Sequence, residues 1–478
     1  MTYRSLMLCG CAAVLSACQT VGPDYAGPPT VAIDLSDMAR MDAARLSPGI
    51  AVEAAWWARY DDPVLTELIE TAARENLDIA LALNRVEQAR LSRQLVSLRG
   101  LPNVNSTAGA QRLRGSETAL GFGPPPGAPA LQNLFDLGAS LRWELDLFGK
   151  IDRQTAAADR RVEASDNDRR AAMVAVFAEV GTAYAELRGL QAQYEISEEN
   201  VSLLQRTLEL TENLEGQGLG SNFDVVRARA DLSELRASQN GLIGAQRVLA
   251  ARLGVLTGQT PAQVMAPLLA SADLPMSSAP IPIGLPSELL QRRPDIVAAE
   301  RRLAAATETI GVETADLYPS FALTGAGGLQ SGFVEDLVDT ASRTWSVGAI
   351  MNWPVFDAGR TRGEIRLAES QVSEADLTYR KVVLDALGEV ESALSNYVFT
   401  EKEIDSLETA VSDREAARDL AELRYRTGND SLLPMLQASR RLTGLKAELA
   451  AKRQSALISQ IAVYRSLGGG WEPFEATD

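Results

Sequence analysis

Residues 135–147 read FDLGASLRWELDL, a strict alternation of apolar with polar or small side chains. The apolar positions are Phe135, Leu137, Ala139, Leu141, Trp143, Leu145 and Leu147, and between them stand Asp136, Gly138, Ser140, Arg142, Glu144 and Asp146. Successive side chains of a β-strand point to opposite faces, so this pattern predicts a strand with one apolar and one polar face.

The same stretch recurs later in the chain. Trp353 follows Trp143 by 210 positions (353 − 143), within a looser alternation that ends at Val355. The same separation joins Gly149 to Gly359, Gly218 to Gly428 and Gly258 to Gly468, and a separation of 217 joins Pro102 to Pro319. A copy of roughly 200 residues is far longer than a solenoid repeat of about 20–50 residues. The chain is therefore a duplicated half-domain.

Each copy predicts the same order of elements. A helical apolar pattern over 63–98 is followed by two strands, so we expect β-hairpins at about 101–148 and 317–358. The four strands, each of roughly 10 residues, suit a tilted passage through a membrane, although a soluble sheet fits the alternation as well. The repeat position of Trp143 and Trp353, near a strand end, is typical of membrane-interface aromatics.

A long helical hairpin follows each pair of strands, at 150–258 and 360–469. Apolar residues recur every seven positions in both copies, which predicts coiled-coil packing. They are Met173, Val180, Leu187, Tyr194, Val201 and Leu208, and then Val383, Val390, Tyr397, Ile404 and Val411. A continuous helix from Asp152 to Glu215 would extend on the order of 95 Å. The turn-forming segments 216–222 and 426–430 mark the far ends of the hairpins.

The first 17 residues have the pattern of a lipoprotein signal peptide. Arg4 precedes a short apolar run, and Leu15-Ser-Ala-Cys18 ends it. The run is too short to span a membrane. We expect cleavage before Cys18 and a covalent lipid on that cysteine, and Gln19 in the next position favours the bacterial outer membrane. No other cofactor and no metal site is expected.

Composition argues against two functional classes. The formal net charge of −17 disfavours nucleic acid as a partner, because phosphate binding depends on Lys and Arg. The chain has no histidine, which removes the commonest general base and the commonest metal ligand. No motif recommends carboxylate-only or Ser-Lys catalysis, so an enzyme is the weaker hypothesis and no catalytic residue is assigned.

The predicted domain organisation follows the duplication. Residues 61–258 form the first repeat and 287–469 the second. Six prolines between 261 and 286 indicate an extended linker, so 18–60, 259–286 and 470–478 are expected to form one irregular equatorial region.

The chain resembles the TolC/OprM family of outer membrane efflux proteins, in its NodT-like lipoprotein branch. The resemblance covers essentially the whole mature chain. It rests on Cys18 with Val21-Gly-Pro-Asp-Tyr25, Trp56-Trp57, Asp62-Pro63, Trp143–Gly149, Arg292-Arg-Pro-Asp-Ile296, Trp353–Gly359 and Arg424-Tyr425. It implies a mainly α fold with a membrane β-barrel, in which three protomers supply twelve strands and an α-barrel tunnel of long helical hairpins.

The same resemblance implies a function. The homotrimer would be the outer membrane channel of a tripartite efflux system, a passive conduit from a periplasmic adaptor and an inner membrane transporter of the RND type. The helix turns would form the periplasmic gate and dock the adaptor. This role maps onto Gly218, Leu219, Gly220, Asp224, Arg227, Gly428, Asn429, Asp430, Gln437 and Arg440.

Two questions stay open at this level. Relatives have Leu-Asp-Ala where this chain has Leu436-Gln437-Ala438, so we expect a gate held by helix packing and by pairing of Asp224 with Arg227 and Arg440. Alternatively, Asp224 only caps the returning helix. The rival function is a lipid-anchored coiled-coil scaffold without a lumen. The channel predicts that Asp136, Arg142, Glu144 and Asp146 face water inside the barrel, and the cargo is not encoded in any recognisable motif.

Overall fold

The computed structural model describes residues 20–28, 45–114, 131–277, 279–284, 291–427 and 429–475. Its strands are β1 (Leu46–Pro48), β2 (Asn103–Arg114), β3 (Leu131–Leu145), β4 (Ile281–Gly284), β5 (Ser320–Ser331) and β6 (Arg343–Asn352). Its α-helices are α1 (Pro63–Glu75), α2 (Leu77–Ser97), α3 (Lys150–Gly216), α4 (Asn222–Leu256), α5 (Pro261–Leu269), α6 (Pro294–Ala315), α7 (Arg360–Arg426) and α8 (Leu432–Ser466). Short 3-10 helices lie at Trp56–Tyr60, Leu98–Gly100, Thr340–Ser342 and Glu472–Phe474.

The duplication is visible in the helices. Helices α3 and α7 each have 67 residues, and α4 and α8 each have 35. Corresponding helices begin 210 residues apart (360 − 150 and 432 − 222). The expected continuous long helix is confirmed in both copies. Among the described residues, no helix is long and apolar enough to cross a membrane.

The chain divides into two compact units. The sheet unit consists of Met1–Pro29, Val86–Ala164 and Ala299–Tyr379, and the helical unit of Thr30–Arg85, Ser165–Ala298 and Arg380–Asp478. In the sheet unit, four antiparallel strands lie in the order β2-β3-β5-β6. Each hairpin comes from one repeat, and the β3–β5 pairing joins them. The four predicted strands are therefore present in one sheet.

Aromatic residues form the centre of the helical unit. Trp56 is buried and stacks on Tyr464, with ring centroids 5.8 Å apart. Trp57 meets Phe177 edge-on at the same centroid distance. The heptad positions pack around this cluster, and Met173, Val180, Leu187, Val383, Val390, Tyr397 and Ile404 are all buried. The seven-residue pattern is thus a packing stripe, as expected.

The predicted helix over 63–98 is interrupted. It breaks at Asn76, whose Oδ1 accepts hydrogen bonds from the backbone N–H groups of Asp78 and Ile79. The Asn76 amide also donates to the carbonyl of Leu256 over 2.8 Å. A side chain that caps a new helix and bonds a distant carbonyl stabilises the break, so two helices replace one.

The proline-rich linker is also more regular than expected. Pro261 begins helix α5, since a first-turn residue has no intrahelical N–H bond to lose. Gln263 closes a capping box with Thr260. Further along, β4 pairs with β1 in parallel, with Leu46 opposite Ile281. The expectation of a wholly irregular region was wrong for these segments.

Candidate functional site

One face of the four-stranded sheet is apolar across all strands. Paired residues of neighbouring strands lie on the same face. Leu141 pairs with Val104 on one side and with Gly325 on the other, and Gly325 pairs with Val347. The register therefore aligns the apolar positions of β3 with apolar or small residues on every other strand. These residues are exposed in the single chain, Val347 by 81%.

The opposite face is polar. Asp136 pairs with Gly109 and Gln330, and Arg142 pairs with Asn103 and Thr324. Glu144 follows on the same face of β3. Three of the four residues that the sequence assigns to the wet face thus share one surface with further polar and small side chains.

Asp146 does not belong to that surface. Strand β3 ends at Leu145, and the Asp146 carboxylate accepts a 2.8 Å hydrogen bond from the backbone N–H of Asp152. It caps the first turn of α3, because a carboxylate there satisfies an otherwise free donor. The prediction that Asp146 and Leu147 continue the alternation was therefore wrong by two residues.

The two repeat-related tryptophans make the same contact. Trp143 Nε1 donates to the carbonyl of Gly100 over 2.9 Å, and Trp353 Nε1 donates to that of Leu317 over 3.0 Å. Gly100 and Leu317 are themselves separated by the upstream offset (317 − 100 = 217). The rings stay 37% and 51% exposed. A satisfied N–H with an exposed ring suits a membrane interface, and the interface role stays a prediction.

The first helix turn is closed by its own backbone. Gly218 has a positive φ of 69°, and the N–H of Leu219 bonds the carbonyl of Leu214 over 2.9 Å. Ser221 then caps α4, since its hydroxyl accepts from the N–H of Phe223. Leu219 and Phe223 are 74% and 69% exposed, so this turn presents apolar side chains.

The second turn differs in chemistry. The N–H of Asn429 bonds the carbonyl of Arg424 over 2.9 Å, and the Asp430 carboxylate lies 3.5 Å from the Arg424 guanidinium. Gly428 lies outside the described residues. Side-chain ionic contacts thus accompany the backbone bond at this turn.

Asp224 is not the helix cap. It occupies the first turn of α4, where Ser221 already holds the capping position. The alternative that Asp224 only caps the helix was therefore wrong, although an acidic residue there favours the helix dipole. Its carboxylate points instead to a cavity.

That cavity, of about 330 Å³, lies in the helical unit beside the turns. Gly220, Asp224, Arg227, Gln437 and Arg440, all assigned to the gate from the sequence, line it together. Gly218, Leu219, Asn429 and Asp430 are not among the lining residues.

The sequence missed one residue of this cavity. Arg440 Nη1 donates to Asp231 Oδ2 over 3.2 Å, so its partner is Asp231 rather than Asp224. Asp231 follows Asp224 by seven positions on the same helix, which places both on one face. That spacing is the signal that could have identified Asp231. In the described part of the chain, no cluster of three or more Cys, Asp or Glu residues is placed to hold a metal ion.

Comparison with known proteins decides the family. The model of the family described as outer membrane efflux protein matches residues 68–259 and 285–469. The chain belongs to the outer membrane efflux protein family. It is an outer membrane channel component for efflux, which confirms the predicted family, location and function.

Individual relatives support this assignment. The chain is 31% identical to the antibiotic efflux pump outer membrane protein ArpC of Pseudomonas putida, over 98% of this chain and 96% of that one. It is 28% identical to nodulation protein T of Rhizobium leguminosarum bv. trifolii, over 98% and 97%. The solved structure of the outer-membrane channel OprN superposes with a TM-score of 0.86 at 36% identity, covering 95% of this chain and all of that one.

Proposed function

We propose that three copies of this chain form the outer membrane conduit of a tripartite efflux pump. Their sheets combine into a twelve-stranded barrel, and their long helical hairpins form a periplasmic tunnel. A periplasmic adaptor and an inner membrane transporter of the RND type deliver small molecules to it. The chain catalyses no reaction and needs no cofactor besides the lipid on Cys18, which lies outside the described residues.

The observation that carries this proposal is the two-faced sheet. Within the described chain, β2 and β6 each pair on one side only, and a sheet in lipid must close because unpaired backbone groups are costly there. Four strands are too few to close, whereas three copies supply twelve. The apolar face with Leu141 and Val347 then meets lipid, and Asp136, Arg142 and Glu144 face water in the lumen.

The helix turns are the proposed gate and adaptor contact. Leu219 and Phe223 offer exposed apolar side chains to a docking partner. The cavity beside them holds the contact between Asp231 and Arg440, which joins α4 to α8. Asp224 and Arg227 line the same cavity, so we assign them to the constriction.

Engineered cysteines test the lumen directly, because the only cysteine of the proposed mature chain is acylated. Leu141→Cys and Arg142→Cys are neighbours on opposite faces of β3. A charged, membrane-impermeant methanethiosulfonate reagent should modify Arg142→Cys at least about tenfold faster, and its modification should change the single-channel conductance of the purified trimer in planar bilayers.

The outcomes separate the channel from the scaffold. Stable conductance steps that respond to modification of Arg142→Cys support the conduit. A sealed gate would also be silent, so the recording is repeated with Arg440→Ala. Silence of both proteins, with equal labelling of the two cysteines, would favour a coiled-coil scaffold in which the apolar face is buried in a protein core.

A further inference from the structure

The short segment that follows Cys18 is held against the sheet unit by a single arginine. Arg153 Nε donates to the carbonyl of Val21 over 3.1 Å, and Nη2 donates to the carbonyl of Gly22 over 3.3 Å. The same Nη2 contacts the exposed carboxylate of Asp24 at 2.8 Å. The N–H of Val21 donates to the carbonyl of Phe148 over 3.3 Å. Residues Thr20–Tyr25 are here called the clip.

The second repeat completes the surface that holds the clip. Arg153 is buried and bonds the buried carboxylate of Glu308 over 2.6 Å. The Tyr25 hydroxyl donates to Glu300 over 3.2 Å. Burial and the nearby Glu300 carboxylate raise the pKa of the Tyr25 phenol, so it remains a donor. Because a buried cation is costly without a partner, Arg153 and Glu308 stabilise each other and leave the remaining donors to the clip.

Shape matches chemistry at two glycines. A Cβ atom on Gly22 would lie 2.4 Å from Cα of Gly311, and a Cβ on Gly149 would lie 2.1 Å from Cγ2 of Thr20. Backbone approaches of this kind require glycine. Phe148, Gly149, Arg153, Glu300, Glu308 and Gly311 together form the seat of the clip.

The duplication supplies an internal comparison for the seat. The offset of 210 places Gly363 where the first repeat has Arg153, and the offset of 217 places Leu91 where the second repeat has Glu308. Leu83 likewise corresponds to Glu300. The charged residues of the seat are therefore no general feature of the repeated unit, and they occur only where the clip lies.

We propose that the clip is a docked element that joins the two repeats of the sheet unit and fixes the lipid-bearing end of the chain beside Gly149. Two residues span at most about 7 Å, so Cys18 is held close to the boundary between β3 and α3. The lipid then enters the bilayer at a set height relative to the sheet. A flexible tether would impose no such height. The lipid part of this inference rests on the proposed acylation of Cys18.

Two matched glycine substitutions test the clip. Gly22 and Gly27 both have a positive φ, 93° and 99°, so alanine carries a similar backbone cost at either position. Only Gly22 abuts the seat, because nothing lies within 4 Å of a Cβ at Gly27. Both acylated proteins are purified as assembled oligomers in detergent. We expect Gly22→Ala to lower the melting temperature by about 3 °C or more relative to Gly27→Ala. We also expect protease to cleave the N-terminal segment of Gly22→Ala about tenfold faster.

A second pair of variants guards against misfolding and separates the lipid from the clip. Replacement of Val21–Asp24 by four Gly and Ser residues keeps Cys18 and the chain length but removes the docked segment. A Cys18→Ala protein exported by an ordinary signal peptide keeps the clip without the lipid. We expect the first to melt earlier and the second to melt as the wild type does.

Equal melting and equal proteolysis of Gly22→Ala and Gly27→Ala would overturn the inference and make the segment a tether. The test is independent of the channel function, since it needs no conductance. A wild-type protein that does not conduct would contradict the proposed conduit while leaving the comparison of the two glycine variants intact.

Discussion

Arg440 donates to Asp231 across 3.2 Å, and this contact joins the returning helix of one repeat to that of the other. The duplication does not repeat it, because the corresponding positions are Ala230 and Arg441 (440 − 210 and 231 + 210). The two helix hairpins are thus joined by an asymmetric contact at the end where we place the gate. Gln437, which replaces an aspartate of relatives, lines the same cavity and adds no charge.

Loss of this contact should favour the open gate. Both side chains are partly exposed, so Arg440→Ala removes only about 0.2–1 kcal/mol of stabilisation. That energy corresponds to at most about a fivefold rise in the open population. Single-channel recording should therefore show longer open times with little change in melting temperature.

Charge reversal provides the control for Arg440→Ala. Asp231→Arg alone should open the gate as well, and Asp231→Arg combined with Arg440→Asp should restore wild-type open times. A double variant that is as leaky as either single variant would show that the pair does not hold the gate.

Regular patterns made much of this fold predictable. The alternation around Trp143 and the heptads through Val180 depend on local sequence, and both give the observed strands and helices. Breaks were harder to predict, because they depend on distant partners. Asn76 ends a helix through a bond to Leu256, which lies 180 positions away. Similarly, Asp146 looks like one more polar strand residue until its bond to Asp152 shows where the strand has ended.

The candidate gate was predictable by position but not by pairing. The turn glycines and the offset of 210 locate the helix ends, so Asp224, Arg227 and Arg440 could be named. Which aspartate meets Arg440 depends on the relative rotation of α4 and α8. A single sequence does not encode that rotation in any local pattern.

Asn76 should contribute measurably to stability. Asn76→Ala removes the cap of α2 and leaves the Leu256 carbonyl without its buried donor, so we expect a loss of about 1–3 kcal/mol. Asn76→Ser can still cap the helix but cannot reach Leu256, and it should recover part of the loss. Thermal melting of the three proteins in detergent measures the difference. Equal melting temperatures would mean that the break at Asn76 is set elsewhere.

Two glycine-to-alanine changes should have opposite signs. A Cβ on Gly181 would lie 2.8 Å from Cη2 of the buried Trp56, so Gly181→Ala should destabilise the aromatic core by about 1–3 kcal/mol. Nothing lies within 4 Å of a Cβ on Gly241, which is inside α4. Gly241→Ala should therefore stabilise the helix by about 0.5–1 kcal/mol. Near-ultraviolet circular dichroism during melting reports the loss of tryptophan packing, and stabilisation by Gly181→Ala would contradict the packing described for Trp56.

Asp357 should make the start of α7 sensitive to acid. Its carboxylate accepts from the Thr361 hydroxyl at 2.5 Å and from the backbone N–H groups of Thr361 and Gly359 at 2.9 Å. The Thr361 hydroxyl, and then these backbone donors, lower the pKa of Asp357 from 3.8 to about 2.

The sign of the effect follows from which form the fold prefers. A carboxyl group with a lower pKa in the folded protein stabilises the fold above its unfolded pKa, and this contribution is lost as the pH falls. The loss should occur between about pH 4 and pH 2. Asp357→Asn cannot titrate, so its melting temperature should fall less steeply with pH over this range. Thr361→Val removes the strongest donor but keeps the backbone donors, and it should give an intermediate slope. Parallel pH profiles of the melting temperature for all three proteins would show that the ionised cap does not stabilise the helix start.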